Sequence, residues 1–124
     1  MSRKIVGMLI VGVLAFPASA EAHNFNAASK VTIKYGGGKF SGRVKSPQAF
    51  CRKHRKILLF KFSGGTYKKA GQDYTNRYGV WSINRPDSLG SFYAKAPRKT
   101  RILDGHAHKC MPAESEYVQI NPFD

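Results

Sequence analysis

The chain has 124 residues, a length that allows one domain. It carries 21 Lys and Arg against 7 Asp and Glu, a formal net charge of +14. A field of that sign attracts acidic polymers, which include nucleic acid, anionic glycans and anionic lipid headgroups. Solubility alone would also account for the charge, so composition does not choose between a binding role and a passive one.

The first twenty residues have the three parts of a secretory signal peptide. Arg3 and Lys4 are the basic start, residues 5–16 are apolar, and small residues precede a cleavage site after Ala20. The apolar run is short for a membrane span, although an uncleaved anchor is the alternative. We therefore predict a signal peptide over 1–20, a flexible lead-in over 21–28, a domain over 29–124, and a secreted protein whose mature chain lacks a transmembrane segment. Cleavage after Ala22 also fits the small-residue pattern.

Two cysteines, Cys51 and Cys110, remain after cleavage, together with 19 Lys and Arg against 7 Asp and Glu. In an oxidising compartment two cysteines most simply pair with each other. The bond would close a loop of roughly 60 residues and stabilise the fold by about 4 kcal/mol in the chain-entropy model. A catalytic or metal-bound thiol is the alternative interpretation.

Short segments with alternating apolar and polar residues recur about every ten residues, and Gly, Pro, Asn and Asp separate them. Residues 57–62 are apolar on both faces, which predicts a central strand covered on two sides. Residues 76–79 predict a turn with a positive φ at Gly79. Residues 97–112 are predicted to be irregular, and the mature part shows no helical period. The pattern favours an all-β antiparallel sandwich with seven strands, at 29–35, 39–45, 57–62, 67–75, 80–83, 91–96 and 115–120.

Several of these segments also carry a familiar set of spacings. The chain resembles the carboxypeptidase-regulatory-like, or transthyretin-like, β-sandwich domain, in its small exported bacterial form. Asn76 stands where that family usually has Asp. The resemblance implies a seven-stranded Greek-key sandwich of the Ig-like or transthyretin-like kind, and a non-catalytic accessory or binding role, with no ligand site to transfer. The residues that carry it are Phe40-x-Gly42-x-Val44, Cys51, Arg55-x-Ile57-x-Leu59, Gly71-x-x-x-Thr75-x-x-x-Gly79-x-Trp81 and Gly90-x-Phe92-Tyr93-Ala94.

Histidines offer two metal-site hypotheses. Cleavage after Ala20 would make His23 the third residue, where an imidazole, the terminal amine and two amides can bind Cu(II) or Ni(II). His106 and His108, with Asp104 nearby, could bind zinc on an extended segment. A mobile tail and solvated loop histidines are the respective alternatives. We expect no resident cofactor.

Sequence motifs for hydrolytic catalysis are missing. The chain has no G-x-S-x-G elbow, no H-E-x-x-H and no closely spaced carboxylate pair. We therefore predict that the protein is not an enzyme.

Basic runs interleaved with tyrosines remain as the strongest binding signal, because such mixtures hold acidic groups and stack on flat rings. We predict a module that binds an anionic glycan, nucleic acid or another cell-surface component through a basic face. The alternative is a structural or adhesive module that recognises a protein through a sheet edge, with incidental charge. The oligomeric state is left open. The predicted ligand-binding residues are Arg52, Lys53, Arg55, Lys56, Lys68, Lys69, Arg77, Arg98, Lys99 and Arg101.

Overall fold

The computed structural model describes residues 24–123, and this part of the chain is mostly β-strand with one four-residue helix. This confirms the all-β prediction. The elements, in chain order, are β1 (Asn24–Ala27), β2 (Lys30–Val31), β3 (Lys34–Gly36), β4 (Lys39–Lys45), α1 (Ala49–Arg52), β5 (Lys56–Ser63), β6 (Thr66–Tyr74), β7 (Val80–Asn84), β8 (Gly90–Ala96), β9 (Lys99–Leu103), β10 (His106–Cys110), β11 (Ala113–Glu114) and β12 (Val118–Ile120).

The described residues form two compact units. The larger comprises Ala27–Lys99 and residues 110–123, and the smaller comprises residues 24–26 and Thr100–Lys109. In the larger unit one sheet has the order β11-β8-β5-β6, with β12 also paired to β8. A second sheet pairs β4 with β2 and β3 along one edge and with β7 along the other. All of these pairings are antiparallel.

Both sheets of the larger unit contribute to one core. Phe40 on β4 and Phe92 on β8 lie with ring centroids 4.6 Å apart, and neither is exposed to solvent. The period-two pattern explains this, because alternate residues of a strand point to opposite faces. The other members of the buried cluster are Val31, Val44, Ile57, Leu59, Trp81, Ile83, Ala94, Ala96 and Ile120.

Each of the seven predicted strands contains observed strand, but the first and last are interrupted. Residues 29–35 divide into β2 and the start of β3. The last predicted strand, 115–120, contains β12 alone, and an interruption at residues 115–117 separates it from β11, which precedes the predicted bounds. The second interruption is bridged by Ser115, whose hydroxyl accepts from the amide of Ala94 at 2.8 Å. The prediction that the mature part contains no helix is wrong, since α1 forms one short turn that contains the buried Cys51.

Gly42 is required by the close approach of another strand. A Cβ at this position would lie 1.9 Å from the carbonyl oxygen of Thr32 and 2.9 Å from Nε1 of Trp81. The Thr32 amide donates to the carbonyl oxygen of Arg43 at 2.9 Å, which holds the two backbones together. Only a residue without a side chain fits there.

The predicted turn at residues 76–79 is confirmed, with a φ of 82° at Gly79. The Asn76 side chain accepts from the amides of Tyr78 and Val80 at 2.8 and 3.1 Å. Thr75, just before the turn, is buried. Its hydroxyl donates to the Arg52 carbonyl at 2.6 Å and accepts from the Arg55 amide at 2.7 Å. Thr75 therefore ties the start of the turn to the segment after α1.

The predicted disulfide is confirmed. Cys51 and Cys110 are joined across a sequence separation of 59, with Cα atoms 5.5 Å apart. Both half-cystines are buried. The bond closes a long loop, which is where the chain-entropy model gives a large stabilisation.

The smaller unit belongs to a three-stranded sheet of order β9-β10-β1. The structure differs from two predictions here. Part of the predicted lead-in is a strand, and residues 97–112 are largely β9 and β10 rather than irregular. Asp104 and Gly105 both have positive φ, at 50° and 78°. Two such residues in succession make the tight turn that joins paired strands, which is why a polar, basic stretch becomes β-structure. Across residues 24–123, no helix has the length and apolar character to traverse a lipid bilayer.

Candidate binding surface

Arg55 was predicted to bind an acidic ligand, but only 1% of its surface is exposed. Its guanidinium donates to the carbonyl oxygens of Pro97, Cys51 and Met111 at 3.1, 3.0 and 2.8 Å. It also donates to the Ser29 hydroxyl at 2.9 Å. Burial lowers the pKa of Arg55, because desolvation penalises the charged form. The prediction is therefore corrected: Arg55 joins four chain segments in the interior and has no donor directed to an external ligand.

Two further members of the predicted set also bond to the backbone. Arg52 is half-buried and donates to the Ser46 carbonyl at 2.7 Å. Lys99 donates to the carbonyl oxygens of Phe50 and Lys53 at 3.0 and 2.8 Å. Both side chains hold the α1 segment. Arg101 lies in the smaller unit and is exposed.

The remaining six predicted residues are exposed but lie on several different elements. Arg77 is in the turn before β7 and lies over the Tyr78 ring, 4.9 Å from its centroid. Of these six, strand register places only Lys56 and Lys69 together on one sheet face. The six residues are Lys53, Lys56, Lys68, Lys69, Arg77 and Arg98.

The sheet that contains β5 and β8 has one face toward the core and an opposite face, here called the outer face. Ile57 and Leu59 of β5 point inward, so Leu58 and Phe60 point outward. Paired residues share a face, and Phe60 pairs with both Lys69 and Tyr93. The same register places further side chains on the outer face: Phe62, Tyr67, Ser91 and Gln119 in one row, Leu58, Gln72, Lys95 and Glu114 in another, and Lys56 with Tyr74 at the end.

Five aromatic side chains form one connected set of ring contacts on the outer face. We call them the ring cluster: Phe60, Phe62, Tyr67, Tyr93 and Tyr117. Tyr93 lies 5.2 Å from Phe60, 5.0 Å from Tyr67 and 5.4 Å from Tyr117, measured between ring centroids. Tyr67 also lies 5.2 Å from Phe62 and 5.6 Å from Tyr117. Edge-to-face and offset contacts at these distances are the favourable geometries for aromatic pairs.

The ring cluster is open to solvent. Tyr117 is 63% exposed and Phe62 is 48% exposed, while the other three rings are half-buried. The sequence predicted that residues 57–62 form a central strand covered on both sides. Strand β5 is central, since it lies between β6 and β8, but its outer face is not buried.

Charge and hydrogen-bonding groups surround the ring cluster. Lys56, Lys69 and Lys95 are the cations of the outer face, and Glu114 pairs in register with Lys95. Among the described residues, Lys56 and Lys95 have no carboxylate within 4.0 Å. Lys69 donates to the Gln72 side chain at 2.7 Å, and the hydroxyls of Tyr67 and Ser91 lie 3.0 Å apart.

Tyr93, at the centre of the cluster, has a raised pKa. Desolvation is the largest cause, followed by the negative charge of Glu114 and by the neighbouring phenols of Tyr117 and Tyr67. The environment therefore keeps the Tyr93 hydroxyl protonated.

Most of this surface was missed by reasoning from the sequence. The predicted ligand-binding set contains none of the five rings, and Tyr93 was named only in the motif that carries the family resemblance. The available signal was the apolar run over residues 57–62, whose outward half has to be covered by something or exposed. Tyr93 and Tyr117 join Phe60 only through strand pairing, which the sequence does not reveal.

The predicted metal ligands belong to other parts of the chain. His23 is outside the described residues. His106 and His108 are both on β10, two residues apart, and the His108 ring stacks on Phe25 with centroids 4.8 Å apart. Within residues 24–123, no three His, Cys, Asp or Glu side chains are grouped as metal ligands would be.

Comparison with known proteins does not name a family for this chain. No family model, curated protein or solved structure matches it. The resemblance to the carboxypeptidase-regulatory-like domain therefore stays a prediction from sequence motifs, and the site must be interpreted from its own chemistry.

Proposed function

We propose that the protein is an exported, non-catalytic β-sandwich module that binds an acidic polymer through the outer face. The observation that carries the proposal is the group of three lysines, Lys56, Lys69 and Lys95, around an exposed aromatic surface. Ammonium groups without an internal carboxylate partner are available to an external anion. The mature chain carries 19 Lys and Arg against 7 Asp and Glu, an excess that adds a long-range attraction for the same class of partner.

The proposed architecture of the larger unit is a seven-stranded Greek-key sandwich. Taking the first and last interrupted strands as one each, the order of the seven segments is 7-6-3-4 in one sheet and 1-2-5 in the other, which supports this architecture. The resemblance to the carboxypeptidase-regulatory-like domain is part of the same proposal, and it favours a binding role over catalysis.

Export is proposed from the signal-peptide pattern of residues 1–20, which lie outside the described residues. The disulfide supports it, because such bonds persist in oxidising compartments and are rare in the cytosol. A secreted protein would meet its acidic polymer at or beyond a cell surface.

Recognition of a protein through a sheet edge is less well supported. Strand β6 is the free edge of its sheet, but Lys68 and Lys69 lie on it and the register shifts between Leu59 and Phe60. Lysines and bulges on an edge strand discourage the addition of another strand.

Binding of the mature, disulfide-bonded protein to two polyanions, a polyuronate and polyphosphate, at increasing salt tests the proposal. We expect weak binding that declines as salt rises, because cations that contact a polyanion release its counterions. Replacing Lys56, Lys69 and Lys95 with Gln should reduce the slope of log affinity against log salt by about one for each contacting lysine. The matched control replaces Lys53, Arg77 and Arg98, which are exposed elsewhere, with Gln. Affinity that does not depend on ionic strength, or equal losses in both triple variants, would reject the outer face as the site.

A further inference from the structure

We infer that the ring cluster is a stacking site for pyranose rings, so that the acidic polymer is a polysaccharide bearing carboxylate groups. The inference rests on the proposed function and specifies its ligand class. It follows from three features of the outer face: its exposed rings, its polar side chains and the position of its lysines.

The exposed rings provide an apolar contact surface that the fold itself does not use. Phe62 and Tyr117 are the most exposed members, and both touch Tyr67, which lies between them. Large apolar surfaces left in contact with water are unfavourable, and where they persist in a folded protein they commonly mark interaction sites. The contacts within the cluster also hold each ring in place, so binding requires little further ordering of side chains.

A pyranose ring matches this surface chemically. Its C–H bonds form an apolar face with small positive partial charges, which suits the negative face of an aromatic ring. Its hydroxyl groups lie around the rim, where Ser91, Gln72 and Gln119 offer both donors and acceptors. An apolar ring surface with a polar border therefore fits a sugar better than it fits a lipid chain or an apolar peptide.

Two of the lysines, Lys69 and Lys95, are attached to the sheet within about one sugar ring of the stacking surface. Lys69 pairs in register with Phe60, and Lys95 is two residues from Tyr93 along β8. Two residues of a strand span roughly 6.7 Å, which is close to the size of one monosaccharide. A carboxylate on a stacked sugar, or on its neighbour in the polymer, can thus reach an ammonium group.

Single-stranded nucleic acid is the main competitor, because bases also stack on aromatic rings. Charge does not separate the two ligands, since lysine attracts and Glu114 repels carboxylates and phosphates alike. The oxidising compartment indicated by the disulfide favours an extracellular glycan over nucleic acid.

The experiment measures binding of the mature disulfide-bonded protein to four probes: a polyuronate such as alginate, an uncharged β-glucan, polyphosphate, and single-stranded DNA. The test variant combines Phe62→Ala with Tyr117→Ala. Its matched control is Tyr78→Ala, since Tyr78 is 61% exposed outside the cluster. A second version, Phe62→Leu with Tyr117→Leu, keeps apolar area while removing the ring faces, and intrinsic Trp81 fluorescence confirms that each variant is folded.

We expect the double variants to lose polyuronate affinity by about tenfold, which corresponds to two aromatic contacts, with Tyr78→Ala unchanged. Polyphosphate binding, which depends on charge alone, should change by less than about twofold. The uncharged glucan should bind more weakly than the polyuronate but lose affinity in the same variants.

Three other results would overturn the inference in distinguishable ways. If both polyanions bind and loss of the rings affects neither, the stacking site is wrong while the proposed function stands. If the wild-type protein binds neither polyanion, the proposed function itself fails. If DNA binds more tightly than the polyuronate and loses affinity with the rings, the surface recognises bases rather than sugars.

Discussion

Replacing Arg55 with Met would remove the guanidinium that bonds to four chain segments while keeping a side chain of similar length. Three carbonyl oxygens, those of Cys51, Pro97 and Met111, would lose a charged donor. The Ser29 hydroxyl would also lose one, but Ser29 is only half-buried, so its hydroxyl can turn to water.

The expected loss of stability follows from these contacts. A buried acceptor left without a partner costs about 1–3 kcal/mol; Cys51 is buried whereas Pro97 and Met111 are half-buried, so the three together cost at most about 3–9 kcal/mol. The substitution also removes a buried charge and its desolvation penalty, which offsets a few kcal/mol of that loss. We therefore expect the free energy of unfolding to fall by about 3 kcal/mol, a substantial part of the roughly 5–15 kcal/mol typical of a domain.

Urea unfolding with the disulfide intact, followed by the fluorescence of buried Trp81, measures this loss. With a slope of about 1.5 kcal/mol per molar urea, the midpoint should fall by about 2 M. Arg98→Met is the matched control, because Arg98 is exposed and its loss should change stability by no more than about 0.5 kcal/mol. Arg55→Lys should be intermediate, since one ammonium group cannot reach all four acceptors. If Arg55→Met and Arg98→Met shift the midpoint equally, the network does not stabilise the fold as argued.

Three further predictions concern the backbone and the outer face. Gly42→Ala should destabilise the fold by about 2 kcal/mol or more, because its Cβ would overlap the Thr32 carbonyl oxygen, whereas Gly36→Ala has open space and should change the urea midpoint little. Thr75→Val should cost about 2 kcal/mol through the loss of both hydrogen bonds of its hydroxyl, and Thr75→Ser should restore most of that; equal midpoints for the two variants would contradict this. Because burial raises the Tyr93 pKa above its ordinary value of 10.0, the folded state holds this proton more tightly, so its contribution to stability is complete below about pH 10 and declines as pH rises through the raised pKa. Between about pH 9 and about pH 11 the free energy of unfolding should therefore fall less steeply with pH in Tyr93→Phe than in the wild type. Parallel curves for the two proteins would refute the raised pKa.

The alternation of apolar residues was sufficient to predict an all-β chain, because the side-chain period of a strand is set locally. The disulfide was predictable for a similarly simple reason: two cysteines in an exported chain have only each other as partners. Gly79 was recognisable because the turn requires a positive φ, which glycine adopts without steric cost.

The sequence did not predict the β9–β10 pair, although Asp104 and Gly105 are a common turn pair. The flanking residues are polar and basic, so their apolar alternation is too weak to indicate strands. Residues 97–112 were therefore predicted to be a loop.

The candidate site depended almost entirely on tertiary structure. Arg55 and Arg52 belong to the same basic run as Lys53 and Lys56, and composition cannot distinguish the guanidinium that is buried from the ammonium that is exposed. Tertiary packing made that distinction, and strand pairing brought Phe60, Tyr93 and Tyr117 together from three distant segments of the chain.

Local sequence thus determined the class of secondary structure, the covalent cross-link and the sign of the charge, since each depends on residue type or short spacing. Only the tertiary structure decided which side chains share a surface, because pairing between distant strands sets the face on which each residue lies.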